Sequence, residues 1–271
     1  MSSPISSPTR ILHYAFCCAM MVFLVGPILA VIPISFSSAG FLSYPIPGLS
    51  MQWYDKVLAA SGPWLPALRN SLIVGTGAMA LATVLGTLAA LGLARNDLPG
   101  RSFLLGLLIA PMVVPVVISG VAMYFLFARI GLTASYAGLI LAHAVLGAPF
   151  VVITVTATLR NFDTTLVRAA YSLGASPVRA FFTVTLPLIL PGVLSGGLFA
   201  FIFSFDEVVV ALFIGGPEQR TLPRQMFDGI RDTIDPSILA MSTLLVGVTV
   251  VFMGLLTRLG RGTGSKPGSN A

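Results

Sequence analysis

Asp163 to Pro191 reads DTTLVRAAYSLGASPVRAFFTVTLPLILP, an amphipathic stretch that is too polar to cross a bilayer. Asp163 is placed to cap a first short helix, and Gly174 to close it as a left-handed residue. Ser176 is placed to cap a second short helix with Pro177 at its first position. Apolar segments long enough to cross a bilayer lie on both sides. The stretch therefore predicts a helix–turn–helix between two membrane spans, on which a protein outside the membrane can act.

The composition indicates a membrane protein. Of the 271 residues, 56% are hydrophobic and only 9% are charged, whereas a soluble domain is about a quarter charged. At about 20 residues per span there is room for roughly six helices and for no large soluble domain. The basic residues lie at the ends of apolar segments, so the net charge of +6 does not predict nucleic-acid binding. We therefore expect an all-α polytopic membrane protein with six transmembrane helices, without a metal site or a cofactor.

Six apolar runs set the expected domain organisation. Residues 1–10 form a tail, and residues 11–66 hold the first span and a polar loop. Residues 67–259 hold five further spans, with the loop 160–186 between the fourth and the fifth, and residues 260–271 form a second tail. A cleaved signal peptide is the alternative for the first run, but the run is too long for the apolar region of a signal peptide and no small-x-small cleavage site follows it cleanly.

Prolines and small residues mark the interior of the spans. Pro111 and Pro115 must kink or break the third span, and the fifth span is expected to run from Pro187 to about Gly215. Small residues at three- and four-residue spacing let transmembrane helices approach closely. In the second span these residues are Gly75, Gly77, Ala78, Ala82, Gly86, Ala90 and Gly92.

Asp206 and Glu207 are adjacent acids inside the fifth apolar run. Acids inside a span are energetically costly and usually face a cavity or a partner. One reading is that they line a translocation path and attract a cationic solute. The other is a structural pair or a helix break near the outer surface, since Asp206 lies about 28 Å along a helix that starts at Pro187. His143, in the fourth span, is interpreted as a packing histidine, because the catalytic motifs Gly-x-Ser-x-Gly and His-Glu-x-x-His are absent.

The distribution of basic residues predicts that both termini and the loop 160–186 are cytoplasmic. The side assigned to the cytoplasm carries Arg10, Arg95, Arg101, Arg160, Arg168, Arg179, Arg258, Arg261 and Lys266. The opposite side has longer loops, and there acids accompany Lys56, Arg69, Arg129, Arg220, Arg224 and Arg231.

The opening stretch resembles the EAA loop in permease subunits of binding-protein-dependent ABC importers. That loop reads Glu-Ala-Ala, three residues, Gly, then a spacer that ends in Leu-Pro. Arg168 departs from it, because it stands where the family usually has Glu. The residues that agree are Ala169, Ala170, Gly174, Ala175, Ser176, Pro177, Leu186 and Pro187, and Asn70-Ser71-Leu72 resembles the family's Asn-Ser-Leu signature.

The resemblance implies the transmembrane domain of a type I ABC importer, anchored in the bacterial inner membrane. Its partners would be a homologous second permease, two ATP-binding cassette subunits and a periplasmic solute-binding protein. The chain itself would not be an enzyme, and it has no Gly-x-x-x-x-Gly-Lys-Ser/Thr loop. The implied ATPase-coupling residues are Arg168, Ala169, Ala170, Gly174, Ala175, Ser176, Pro177, Val178, Arg179, Phe181 and Phe182, and the expected pathway residues are Asp206 and Glu207.

A narrower resemblance concerns the solute. Ser204 to Val210, followed by Gly215-Gly216-Pro217 and Thr221-Leu222-Pro223, is similar to the second permease of spermidine/putrescine-type importers. This similarity implies a polyamine as the solute. The alternatives are another small nitrogen-containing solute or an amino acid derivative in the same importer class, and a self-sufficient secondary transporter. An intramembrane enzyme would need a paired nucleophile and base, and no such pair is recognisable in the sequence.

Overall fold

The computed structural model describes residues 7–94, 98–160, 162–232 and 234–261, and these residues are helical almost throughout. The predicted all-α class is confirmed, since the only β pairing among the described residues is a bridge between Ser37 and Leu49. The helices are α1 (Ser7–Ser35), α2 (Gln52–Leu58), α3 (Trp64–Leu93), α4 (Arg101–Val113), α5 (Val116–Ile130), α6 (Tyr136–Arg160), α7 (Thr165–Ser172), α8 (Pro177–Ala180), α9 (Leu186–Asp206), α10 (Val209–Ile214), α11 (Leu222–Asp232) and α12 (Ser237–Arg261).

Four continuous helices in the described chain are long and apolar enough to cross a membrane: most of α1, α3, α6, and the helix from Pro177 to Asp206. The bent pair α4–α5 makes a fifth span if it crosses as one unit. α12 takes the place of the expected sixth span, and its apolar part is Ser237–Val251. Of the predicted tails, residues 1–6 and 262–271 lie outside the described residues, as does Arg95 in the loop before α4.

The chain divides into two compact units. The first comprises residues 1–65 and 228–271, and in it α1 and α2 pack against α12. The loop after α1 is fixed by Trp53, whose indole Nε1 donates to the Ser37 carbonyl at 2.8 Å. An ion pair of 2.5 Å between Lys56 and Asp235 ties α2 to the start of α12.

The second unit comprises residues 66–227, and its core is the contact between α6 and α9. Gly196 makes this contact close, because a Cβ there would lie 2.7 Å from Val151 Cα and 2.4 Å from Thr154 Oγ1. The predicted packing role of small residues in α3 is confirmed at Gly86, where a Cβ would lie 2.7 Å from Val151 Cβ. Gly92 is an exception, since nothing lies within 4 Å of its Cβ position.

The prolines of the third span break it, as predicted. α4 and α5 meet at an angle of 102°. Pro111 is accommodated inside α4, and the break falls at Val114 and Pro115, where Val114 is extended. The reason is local, since a residue before proline disfavours the helical region and proline cannot donate a backbone hydrogen bond.

The expected bounds of the fifth span are wrong at both ends. Its helix begins at Pro177 and ends at Asp206, rather than running from Pro187 to Gly215. A π-helical segment, Phe181–Thr185, joins α8 to α9 and brings Pro187 into the first turn of α9. Pro187 therefore lies inside a continuous helix directly after a π-helical segment, and both features are typical of positions where a helix bends without ending.

Candidate functional site

The helix α7 is capped at its start close to the predicted position. Asp163 Oδ1 accepts a hydrogen bond from the Thr165 N–H at 2.8 Å. Thr164, not Asp163, occupies the N-cap position, and its side chain makes no capping bond. The hydrogen bond from the Thr165 N–H lowers the pKa of the exposed Asp163 carboxyl, because it favours the ionised form.

Gly174 closes α7 as predicted. Its φ is +82°, in the left-handed region that residues with a Cβ rarely adopt. The Gly174 N–H donates to the Tyr171 carbonyl at 2.9 Å, and the Ala175 N–H donates to the Ala170 carbonyl at 3.0 Å. These two bonds are a Schellman motif, which satisfies carbonyls at the helix end and reverses the chain sharply.

Ser176 caps the next helix, also as predicted. Its Oγ accepts the Arg179 N–H at 3.3 Å, and Pro177 occupies the first turn of α8. The predicted second short helix is not separate, however, because α8 continues through the π segment into α9. The capped turn is therefore attached to a membrane span without an intervening loop.

The exposed face of this element is apolar. Leu173, Val178 and Phe182 are 89%, 66% and 59% exposed. Phe181 is half-buried, and the charged Arg168 and Arg179 are exposed. Of the remaining coupling residues predicted, Ala169, Gly174, Ser176 and Pro177 are exposed, while Ala170 and Ala175 are half-buried. The structure thus brings the predicted residues together on one element, which we call the coupling element (residues 163–185).

The two acids at the end of α9 have different surroundings. Asp206 is exposed at the last residue of the helix. Glu207 is buried, and its Oε1 accepts the Val210 N–H at 3.0 Å. The Glu207 carboxylate is therefore bound to the start of α10, whereas Asp206 is exposed.

A largely apolar cavity lies at the break between α4 and α5. It has a volume of about 290 Å³, and two of its lining residues, Phe150 and Phe203, pack against each other with ring centroids 5.5 Å apart. Phe150 also stacks on Phe199 at 6.3 Å. Phe199, Phe203 and Asp206 follow each other at four- and three-residue spacing, which places them on one stripe of α9. The cavity is lined by Pro111, Met112, Val113, Val114, Pro115, Val116, Leu146, Phe150 and Phe203.

The Asn-Ser signature at the start of α3 has a role that sequence reasoning missed. Asn70 Nδ2 donates to the carbonyls of Glu218 and Arg220 at 2.8 and 2.9 Å. Ser71 Oγ accepts the Leu222 N–H at 2.8 Å. The signature therefore holds the loop between α10 and α11, and only its resemblance to a family pattern marked it in the sequence.

His143 lies where a packing histidine is expected. It is fully buried, and its Nδ1 lies 2.8 Å from Ser204 Oγ. The bond joins α6 to α9 across their interface. No group of three or more potential metal ligands occurs among the described residues.

Comparison with known sequences identifies relatives over most of the chain. Residues 59–264 match the family described as "Binding-protein-dependent transport system inner membrane component". The putrescine transport system permease protein PotI of Escherichia coli (strain K12) is 35% identical over 232 residues, which cover 83% of this chain and 82% of PotI. The spermidine/putrescine transport system permease protein PotC of the same strain is 31% identical over 244 residues, covering 90% and 92%.

A solved structure shares the fold. It is a bacterial ABC transporter involved in the import of the acidic polysaccharide alginate, and the superposition has a TM-score of 0.71. The alignment covers 97% of this chain and 100% of the other at 14% identity. The predicted type I permease fold is therefore confirmed.

Proposed function

The chain belongs to the family of inner membrane components of binding-protein-dependent transport systems, and we propose that it forms half of the path of a polyamine importer. As a permease subunit of an ABC importer it is a multi-pass inner membrane protein without catalytic activity, and ATP is hydrolysed by a separate subunit. A second permease, an ATPase and a binding protein are partners implied by the family. In our proposal the second permease is a homologue, and two ATPase copies bind the cytoplasmic side of the permease pair. Both termini of this chain are cytoplasmic.

The continuity of the coupling element with α9 is the observation that carries the coupling proposal. Helix-in-groove docking needs a preformed helix with apolar anchors. Val178 and Phe182 supply anchors at a four-residue spacing and are largely exposed, while Leu173 extends the apolar face at the turn. Because α8 runs without a break into α9, a displacement of α8 by the ATPase moves a membrane span directly. Alternating access then follows from rocking of the span around the path.

Arg168 occupies the position where the family usually has Glu. It is exposed on α7 and forms no ion pair within the described ranges of the chain. We propose that it pairs with an acidic residue on the ATPase. The family's usual Glu would require a basic residue there, so the charges of the pair are exchanged. Arg168→Glu should then weaken complex assembly, and unchanged assembly would contradict a specific pairing.

The path is proposed to follow the stripe of Phe199, Phe203 and Asp206. Aromatic faces attract cations, and a carboxylate near the end of a span attracts an ammonium group. A polyamine carries several such groups separated by methylenes, which suit a largely apolar cavity that two phenylalanines line, with Asp206 one turn beyond Phe203 on α9. Glu207 is assigned to holding α10 rather than to the solute, because its carboxylate already accepts a backbone N–H. The names of PotI and PotC support the same solute class.

The docking proposal is tested by co-purification of the ATPase subunit with the full-length chain. Val178→Ala and Phe182→Ala should reduce the ATPase recovered, because each removes an exposed apolar anchor. Phe103→Ala is the matched control, since Phe103 is 74% exposed and lies outside the coupling element. Equal recovery with the Phe182 and Phe103 variants would contradict docking through this face.

The solute proposal is tested by uptake in proteoliposomes that contain the complete importer. Asp206→Asn should lower the uptake of labelled putrescine and spermidine while basal ATP hydrolysis and assembly stay unchanged. Uptake that survives Asp206→Asn would remove the residue from the path. Uptake of a neutral amino acid derivative without polyamine uptake would favour the alternative solute class.

A further inference from the structure

A groove between α3, α4 and α6 has a basic mouth at one end of the three helices. Its cavity, about 470 Å³, is lined by Leu93, Arg101, Ser102, Leu105, Thr156 and Arg160. Leu93 ends α3, Arg101 begins α4 and Arg160 ends α6. The mouth therefore lies at a membrane surface, at the end of α6 that leads to the coupling element.

Two arginines line the mouth. Arg101 and Arg160 are exposed, and neither forms an ion pair with any residue that the structure describes. The N-terminus of α4 also opens here, and no side chain caps it. Helix N-termini carry a partial positive charge and unpaired N–H groups that favour anions.

Thr156 gives an independent indication of a ligand. It is only 8% exposed, it lines the cavity, and its hydroxyl has no hydrogen-bond partner within the described chain. Buried hydroxyls are nearly always paired with protein or water, so this one needs a hydrogen-bond partner that the described chain does not supply.

A second, apolar cavity lies further along the same three helices, on the side of the mouth away from the helix ends. This second cavity, about 270 Å³, is lined by Leu81, Leu85, Gly86, Leu107, Leu108, Pro111, Leu141, Ala144, Val145 and Ala148. Along α4, the distance from Arg101 to Pro111 is about 15 Å at 1.5 Å per residue. That is the depth of one leaflet, since the hydrocarbon core is about 30 Å thick.

We propose that this groove binds one anionic phospholipid, with its phosphate between Arg101 and Arg160 and an acyl chain along α4. Basic pockets between transmembrane helices suit anionic headgroups. A free phosphate would use the mouth but leave the apolar cavity unexplained, and a zwitterionic lipid would gain less from two arginines. The site meets the proposed solute cavity only at Pro111, which lines both. It adjoins the span that leads to α7, so that lipid composition would act on the end of α6 next to the coupling element.

The experiment is native mass spectrometry of the full-length chain in a neutral detergent. Phosphatidylglycerol and phosphatidylcholine with the same acyl chains are titrated separately, and inorganic phosphate is the third probe. The variants are Arg101→Gln/Arg160→Gln and Val145→Trp, which fills the apolar cavity. Arg129→Gln is the matched control, because Arg129 is an exposed arginine in the last turn of α5. Circular dichroism confirms that each variant is helical.

We expect one phosphatidylglycerol molecule to be retained by the wild type and by Arg129→Gln. The affinity of the double arginine variant should be about 25-fold lower, at about fivefold for each arginine removed. Val145→Trp should also weaken the lipid. Equal retention of phosphatidylglycerol and phosphatidylcholine by the wild type would by itself overturn the proposal. So would an unchanged affinity in the double variant, or inorganic phosphate binding as tightly as the lipid.

Discussion

Gly196→Ala tests the close approach of α9 to α6. The new methyl group would lie 2.7 Å from the Val151 Cα and 2.4 Å from the Thr154 Oγ1. A backbone atom cannot rotate away, so the two helices must separate by a fraction of an ångström. Because a gap of 0.5–1 Å forfeits about a quarter to a half of each contact energy, and overpacking typically costs about 1–3 kcal/mol, we expect a clear loss of stability.

The assay is thermal unfolding of the purified chain in detergent. The expected loss corresponds to a fall in the midpoint of about 2–12 °C, at about 2–4 °C per kcal/mol for a domain of roughly 200 residues. Gly106→Ala is the matched control, since nothing lies within 4 Å of its Cβ position inside α4. Alanine there should be neutral or stabilising by up to about 1 kcal/mol, because it is the better helix former.

Gly197→Ala provides a graded comparison on the next residue. Its nearest neighbour would be the Thr83 Oγ1 at 2.7 Å, a side-chain atom that can change rotamer. Its cost should therefore be smaller than that of Gly196→Ala. A midpoint for Gly196→Ala equal to that of Gly106→Ala would refute the packing argument.

Gly174→Ala should cost about 1–2 kcal/mol, because φ is +82° there, and should reduce transport-coupled ATP hydrolysis; Gly131→Ala imposes similar strain at φ +71° outside the coupling element and should leave coupling intact. The pKa of Asp163 is lowered from 3.8, so its cap is complete above that pH and is lost as the pH falls through the lowered value. The loss would appear as a lower protection factor of the Thr165 amide against hydrogen exchange in acid than at neutral pH. Asp163→Asn should abolish the pH dependence of this protection factor. Asp235 Oδ1 accepts the Ser237 N–H at 2.9 Å at the start of α12, so Asp235→Ala should destabilise the chain by about 1 kcal/mol through the loss of this cap. Asp235→Asn keeps an acceptor and should cost less in the same thermal assay.

The direction of the pKa shift of Asp235 follows from the contacts of its carboxyl group. Burial alone would raise the pKa of the Asp235 carboxyl, but hydrogen bonds from Lys56 and Ser237, with the lysine charge, lower it below 3.8. A lowered pKa stabilises the fold above the ordinary value, and this contribution is lost as the pH falls through the lowered one. An Asp235→Ala variant as stable as Asp235→Asn would show that the hydrogen bond to Ser237 contributes nothing.

Local chemistry explains which parts of the coupling element were predictable. Gly174 and Ser176 act within three or four residues of themselves, through a left-handed backbone and a side-chain cap. Their roles depend on no distant contact, and both are confirmed. The break at Pro115 belongs to the same class, because a proline restricts itself and the residue before it.

The errors lie where the outcome depended on a neighbouring turn or helix. Pro187 marks the start of a span in the sequence, yet a π segment before it lets the helix continue. Glu207 and Asp206 look equivalent in the sequence. They differ because α9 ends between them and the Glu207 carboxylate accepts the N–H of Val210, three residues further on. This bond is local, and the expectation of a continuous span concealed it.

The sequence by itself determined the all-α membrane class, the caps and turn of the coupling element, and the family resemblance. These follow from composition, periodicity and interactions between near neighbours. Only the tertiary structure decided that the coupling element is continuous with a span, that Asn70 holds the loop after α10, and that Arg101 and Arg160 share one groove. Each of these depends on groups that meet through helix packing, which local propensity does not encode.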